Sequence, residues 1–317
     1  MELRIQHLSK TYPNGVQALR DVTLTIPNGM FGLLGPNGAG KSSLMRTIAT
    51  LQEPDTGSIQ LGDIDVLREK EKVRRVLGYL PQEFGLYPSV SAEVLLDYFA
   101  GLKGIRAGAE RKAAVENLLQ QTNLWDARKK AVGGYSGGMR QRFGIAVALL
   151  GSPQLIIVDE PTAGLDPTER NRFLDLLSEI GENVVVILST HIVEDVTELC
   201  PNMAIIAQGE VVATGRPNDV IGEIRGKVYR TKTEKAALAQ LREQHEVISS
   251  KLVAGQPVVR VFSETPINGI FQPAEATLED VYFHRLARRA RINNEELKIN
   301  NDAGAKAGRA STGTVNS

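Results

Sequence analysis

Cysteine is almost missing from this chain. Cys200 is the only one among 317 residues, so no internal disulfide framework can form and a reducing compartment is expected. Excess charge is missing too: 37 basic side chains balance 37 acidic ones, which removes the electrostatic case for a nucleic-acid or other polyanion partner. Long apolar runs are absent as well. The start, MELRIQHLSK, holds no apolar signal-peptide core, and runs such as Phe143 to Leu150 fall far short of the roughly 20 residues that span a bilayer. A soluble, cytosolic chain is expected. What remains is an ordinary globular composition, 42% hydrophobic and 23% charged, with room for one large domain and a smaller one.

The most informative stretch is MFGLLGPNGAGKSSLMRTIAT, residues 30 to 50. Met30 to Leu34 has strand length, and from Lys41 the apolar residues Leu44, Met45 and Ile48 recur at helical spacing. Between them, Gly35-Pro36-Asn37-Gly38-Ala39-Gly40-Lys41-Ser42 fits G-x-x-x-x-G-K-[ST]. Glycines let successive N–H groups point into one concavity, and the helix N-terminus adds partial positive charge. Lys41 can reach the β- and γ-phosphates, the Ser42 hydroxyl can ligate Mg²⁺, and Ser43 can bond the α-phosphate. This is a nucleotide-binding loop.

Upstream, Leu3 and Ile5, then Val22, Leu24 and Ile26, alternate with polar residues as strands do, around a loop that holds Tyr12. Taken alone, Tyr12 reads as a solvated loop residue. Gly57 to Val66 and Val73 to Leu80 read as strands, the second ending in Pro81-Gln82. Residues 83 to 150 turn helical, with Ala92, Leu95, Leu96 and Phe99 on one face and Ala113, Leu118 and Leu119 on another. Ahead of them, Phe84-Gly85-Leu86-Tyr87-Pro88 is an apolar loop of the kind that marks a contact surface or tucks into the core. Ser136-Gly137-Gly138 opens a further helix and offers a second, weaker anion seat. Leu155 to Val158 is a continuous aliphatic run, as in a strand buried on both faces. It delivers Asp159-Glu160 at its carboxyl end, where open α/β sheets place ligands. Asp159 suits a metal's water shell, and Glu160 suits orienting or deprotonating an attacking water. The pattern recurs at Val184 to Leu188, followed by Ser189-Thr190-His191, and a histidine there can bond a γ-phosphate or the water. His7, His245 and His284 read as ordinary core or surface residues.

Taken together, GPNGAGKSS, Gln82, YSGGMRQ, LIIVDEP, AGLD and STH resemble the ATP-binding subunits of ABC transporters in order and spacing, over Met1 to about Val220. That resemblance implies a P-loop NTPase α/β core with an N-terminal antiparallel β subdomain and a helical subdomain. It implies ATP and Mg²⁺ as ligands. Tyr12 would stack on adenine, and Gly38 to Ser43 would hold phosphate and metal. Gln82 would contact the metal and relay the state of the site to a membrane partner. Ser136 to Gly138 would act on the ATP of a second copy, and Ala163 to Asp166 would cross the dimer interface. Asp159 and Glu160 would be the metal-shell and catalytic acids, and His191 the γ-phosphate switch. Tyr135 stands where the family more often has leucine.

Phe84 to Ala100 and the segment ATLEDVYF, residues 276 to 283, are similar to the bacterial drug- and antibiotic-export type. The expected organisation is residues 1–220 as the ATP-binding domain, with its helical subdomain at about 83–150. A small α+β appendix at 221–290 and a disordered tail at 291–317 would follow. Within the appendix, Lys227 to Thr233 reads as a strand, Glu234 to Gln244 as a helix, and 247–262 as a hairpin turning at Gly255-Gln256. Leu278 to Arg291 reads as a final helix with a basic end. The expected function is an ATPase that dimerises on ATP as a homodimer and powers a separately encoded permease for export from the cytoplasmic face of the membrane. The alternatives are a non-transport ABC ATPase of the repair or translation type and a nucleotide-gated regulatory module.

Overall fold

The computed structural model describes residues 1–292 except 83, 84, 86, 107, 182 and 183; of the tail expected at 291–317, Arg291 and Ile292 are helical, and 293–317 lies outside the described residues. The described residues form two compact units, Met1–Pro217 and a second that begins at Asn218.

The first unit opens with β1 (Leu3–Thr11) and β2 (Gln17–Ile26), whose alternating residues Leu3, Ile5, Val22, Leu24 and Ile26 all face the interior. Then come β3 (Gly29–Leu34), the glycine-rich loop and helix α1 (Lys41–Ile48). Strands β4 (Thr56–Leu61) and β5 (Ile64–Asp65) complete an antiparallel sheet of order β2-β1-β4-β5. The stretch expected as a strand from Val73 to Leu80 is split. Helix α2 (Lys70–Val76) takes its first half, and β6 (Leu77–Leu80) its second. Within α2, Val73 and Val76 lie at i, i+3 on the more buried face while Arg74 and Arg75 stay in solvent, and that period wins over β-branching.

Helices α3 (Ala92–Leu102), α4 (Ala109–Gln121) and α5 (Gly137–Ala148) build their own core from Leu95, Leu96, Val115, Leu119 and Phe143. Ala113, expected on the inner face of α4, is exposed, because the i, i+4 pair Val115 and Leu119 occupies that face. Tyr135 is buried here, edge-on to Phe143 with its hydroxyl donating to the Ala127 carbonyl at 3.0 Å.

The chain returns through β7 (Leu155–Asp159), α6 (Pro167–Ile180), β8 (Val185–Thr190), α7 (Val193–Leu199), β9 (Asn202–Ala207) and β10 (Glu210–Gly215). The second sheet runs β10-β9-β3-β8-β7-β6, parallel throughout except for β10. Every residue of β7 and β8 is buried, which is why both read as unbroken aliphatic runs. One cluster joins the two sheets and α1, from Leu3 and Leu24 through Phe31 and Leu44 to Ile157 and Ile187. Each such side chain contributes roughly 1.5–3 kcal/mol. Helix α7 lies so close to β3 that a Cβ on Gly32 would stand 2.6 Å from a Val196 methyl. Among the described residues no helix is long and apolar enough to cross a membrane.

Helix α8 (Pro217–Gly222) leads into the second unit, a four-stranded sheet of order β12-β13-β11-β14. Its elements are β11 (Val228–Lys232), α9 (Leu238–Gln244), β12 (Glu246–Val253), β13 (Gln256–Phe262), β14 (Gln272–Pro273) and α10 over residues 278–292. The helix expected from Glu234 begins as a 3-10 turn at Lys235–Ala237. The hairpin turns at Ala254-Gly255, with φ of 49° and 83°, as a type I′ turn requires. Gln256, expected in the turn, pairs with Val253 and belongs to the strand. The TLED sequence is a capping box: Thr277 and Asp280 bond each other reciprocally, and Asp280 is held by Arg260 at 2.6 Å. His284 is buried against Glu246 at 2.8 Å, and burial, joined by the Arg285 and Arg288 charges, holds its pKa below the usual value although Glu246 opposes this.

Candidate functional site

In a parallel sheet the carboxyl ends of the strands share one edge. Leu34 stands opposite Thr190, and Ser189 opposite Asp159, so the loop 35–40, the acids 159–160 and His191 emerge side by side. The loop is closely shaped. Gly40 has φ of 107°, and a Cβ there would strike the Ala18 carbonyl, so only glycine fits. Gly38, at φ 78°, is needed for its conformation rather than for space.

Lys41, only 5% exposed, is folded against this loop. Its Nζ donates to the carbonyls of Gly35 at 2.5 Å and Pro36 at 3.3 Å and faces Glu160 Oε1 at 3.4 Å. The other Glu160 oxygen meets His191 Nδ1 at 2.5 Å. Glu160 is itself 5% exposed, whereas about half of the His191 side chain is open to solvent. Glu160 also carries φ of 50°, unusual for a side chain of its size, and its N–H donates to Ser189 O at 2.9 Å. Backbone strain of this kind costs about 1–3 kcal/mol and clusters at functional sites. Nothing in the local sequence signals it.

A cleft of about 380 Å³ opens over Lys41 and Glu160, lined by Tyr12, Val16, Ala18, Pro36 to Gly38, Gly40 to Ser43 and Gln82; Asp159 and His191 are not among its lining residues. Tyr12 is half-buried rather than solvated. Its hydroxyl is 3.0 Å from Ser43 Oγ and donates to Gln52 Oε1 at 3.0 Å. Gln52, which sequence reasoning passed over, also donates to Ser43 O and Thr47 Oγ1 and so fixes the start of α1.

Ser136, Gly137, Gly138 and Asp166 are not among the residues lining this cleft. Ser136 caps α5, with Oγ accepting from Met139 N–H at 3.2 Å, and Gly138 sits where any side chain would meet Glu169. Asp166 caps α6, accepting from Glu169 N–H at 2.9 Å, with Pro167 at the first helical position.

The family profile described as "ABC transporter" matches residues 19–163. The linearmycin resistance ATP-binding protein LnrL of Bacillus subtilis is 35% identical over 226 residues, 71% of this chain and 72% of that protein. The chain belongs to the ATP-binding subunits of ABC transporters. The doxorubicin resistance ATP-binding protein DrrA of Mycobacterium tuberculosis is 38% identical over 223 residues, 69% of this chain and 67% of that one. A solved dimeric ATP-binding cassette bound to ADP and Pi superposes with a TM-score of 0.62 at 27% identity, over 68% of this chain and 98% of that chain. The protein is thus an ATPase, with ATP as its substrate.

A metal partner for this ABC ATPase is tested by Asp159. Burial pushes its carboxyl pKa up, the Glu160 charge adds to that, and Ser189, Lys41 and Ser42 oppose it. The Ser189 and Ser42 hydroxyls favour the anion, yet Asp159 Oδ1 is buried and accepts no hydrogen bond of ordinary geometry. An orphaned hard oxygen beside the Ser42 hydroxyl is a donor pair that fits Mg²⁺, and Gln82 lines the same cleft as Ser42. A raised carboxyl pKa means that folding stability is full below the unfolded value, about 4, and falls as pH rises through the folded one. Asp159→Asn should therefore raise the melting temperature of the ligand-free protein at pH 7, with the gain shrinking toward pH 4. Melting curves across that range check the sign; an Asn variant less stable at pH 7 than at pH 4, relative to the parent, contradicts it.

Proposed function

We propose that this ATPase works as one of two copies that close on two ATP molecules and drive a separate membrane permease in the exporting direction. One observation carries the reading. The chain gathers Lys41, Glu160 and His191 at one sheet edge, while the Ser136–Gly138 helix start, itself suited to an anion, does not line the same cleft. A second copy supplies that surface, and the dimeric relative bound to ADP and Pi supports the arrangement. Within each half, Lys41 and the N–H groups of residues 35 to 43 hold the phosphates, and Tyr12 stacks on the base. Glu160 accepts a proton from the attacking water, and His191 orients both the water and the γ-phosphate. Ser42, Gln82 and Asp159 would hold Mg²⁺, which would supply charge neutralisation at the phosphates. Asp166 faces the partner copy.

The permease contact is supported by an unpartnered stripe on α3. Val94, Tyr98 and Leu102, at i, i+4 and i+8, are 60%, 54% and 67% exposed, and Tyr87 ahead of them is 63% exposed. Phe84 and Leu86 lie outside the described residues. Resistance to linearmycin and doxorubicin, named for the relatives, favours export of drug-like molecules. The subunit would then sit at the cytoplasmic face of the cell membrane, held there by the permease. Co-purification from detergent-solubilised membranes tests this: a polytopic membrane protein should accompany the subunit. Val94→Glu with Tyr98→Glu should abolish the association while basal ATPase survives. Recovery of the same membrane protein by the double variant contradicts the docking face.

A further inference from the structure

We propose that Asp195 is a positioning residue that locks the segment after Glu160 to the helix after His191 and so holds this acid–histidine pair in register. The proposal rests on the reading of Glu160 and His191 given above. Asp195 lies on α7, one helical turn past His191, and is completely buried. Both of its carboxylate oxygens are engaged. Oδ2 accepts from Thr162 Oγ1 at 2.6 Å, and Oδ1 accepts from Arg170 Nε at 2.7 Å. Thr162, 4% exposed, is two residues past Glu160, and Arg170 is on the first turns of α6. One carboxylate therefore ties three segments together.

The tie falls where the sheet stops helping. Pairing of β7 with β8 ends at Asp159 and Ser189, where Glu160 N–H donates to Ser189 O at 2.9 Å. Beyond it the chains diverge, Glu160 carrying its left-handed φ of 50° and His191 half-exposed. A strained backbone persists only when its surroundings over-determine it. The Thr162–Asp195 bond supplies that constraint from one side and fixes the base of the His191 segment from the other. Stability alone is a poor reason for the carboxylate. A buried ion pair is often matched or bettered by apolar packing of the same volume, whereas it sets register in a way that apolar contacts do not.

The test uses the full chain, with steady-state ATPase measured well below the melting transition. Thr162→Val keeps the side-chain shape and removes only the donor to Asp195. It should lower kcat by about 10- to 100-fold, the scale of a misplacement near 1 Å, with KM for ATP within about twofold. Thr162→Ser, which keeps the hydroxyl, should restore kcat to within about threefold of the parent. Asp195→Asn should lower kcat similarly, and the Thr162→Val/Asp195→Asn double variant should be no slower than the slower single one, because both cut the same tie. Wild-type kcat in Thr162→Val, equal losses in the Val and Ser variants, or losses that multiply in the double variant overturn the proposal. Glu160→Gln in the same series separates this failure from that of the underlying reading. If it hydrolyses ATP at the parental rate, the site assignment falls and the proposal with it; if it is slow while Thr162→Val is not, only the positioning role falls.

Discussion

Replacing Glu160 with glutamine is expected to slow ATP hydrolysis by about 100- to 10,000-fold while ATP binding survives, the range typical of a lost general base. The geometry explains why binding and chemistry separate. Glutamine keeps the volume and can still hydrogen-bond His191, but it cannot take a proton from water. It also removes the negative charge 3.4 Å from the Lys41 ammonium, which leaves that cation freer to face phosphate. Affinity for ATP should therefore stay the same or rise. Equilibrium binding and single-turnover rates measured on the same preparation separate the two effects. A parental rate in the variant assigns the proton transfer to another group.

The second large effect belongs to Lys41. Its ammonium makes its bonds inside the loop, to Gly35 and Pro36 carbonyls, and is nearly sealed from solvent. Each charge-assisted hydrogen bond contributes about 1.5–3 kcal/mol, so losing two to phosphate should weaken ATP binding by about 100-fold or more. Lys41→Ala should bind ATP that poorly and show no measurable turnover. Lys41→Arg should fare little better, because a planar guanidinium cannot occupy a seat that encloses a narrow ammonium stem. Near-normal ATP affinity in the alanine variant would contradict the role given to the loop.

The nucleotide loop was legible because three local signals coincide there: a strand-length apolar run, glycines at fixed offsets, and a helical period beginning at Lys41. The buried strand β7 was legible because four aliphatics in a row fit few other environments. The boundary at 73–80 was not, since Val73 and Val76 satisfy a strand by branching and a helix by spacing, and packing decides. The hairpin turn was displaced by one residue because Ala254 adopts a left-handed φ that sequence assigns more readily to glycine. Ser136 to Gly138 carried meaning only through the family resemblance; alone, three small residues at a helix start are a cap. Least legible was the cluster of Thr162, Arg170 and Asp195. Asp195 stands 33 residues from Thr162 and 25 from Arg170, so no local periodicity links it to either, and only the fold shows one carboxylate serving both.

The central claim, an ATP site completed by a second copy, is tested most directly by sedimentation of the Glu160→Gln variant with and without saturating MgATP. Slow hydrolysis keeps ATP between the two surfaces, so the account predicts a monomer without nucleotide and a stable dimer with it. Adding Ser136→Arg, which fills the opposing surface with a bulky side chain, should return the protein to a monomer. A Glu160→Gln protein that binds ATP yet stays monomeric at saturation, or a dimer indifferent to Ser136→Arg, contradicts the composite site.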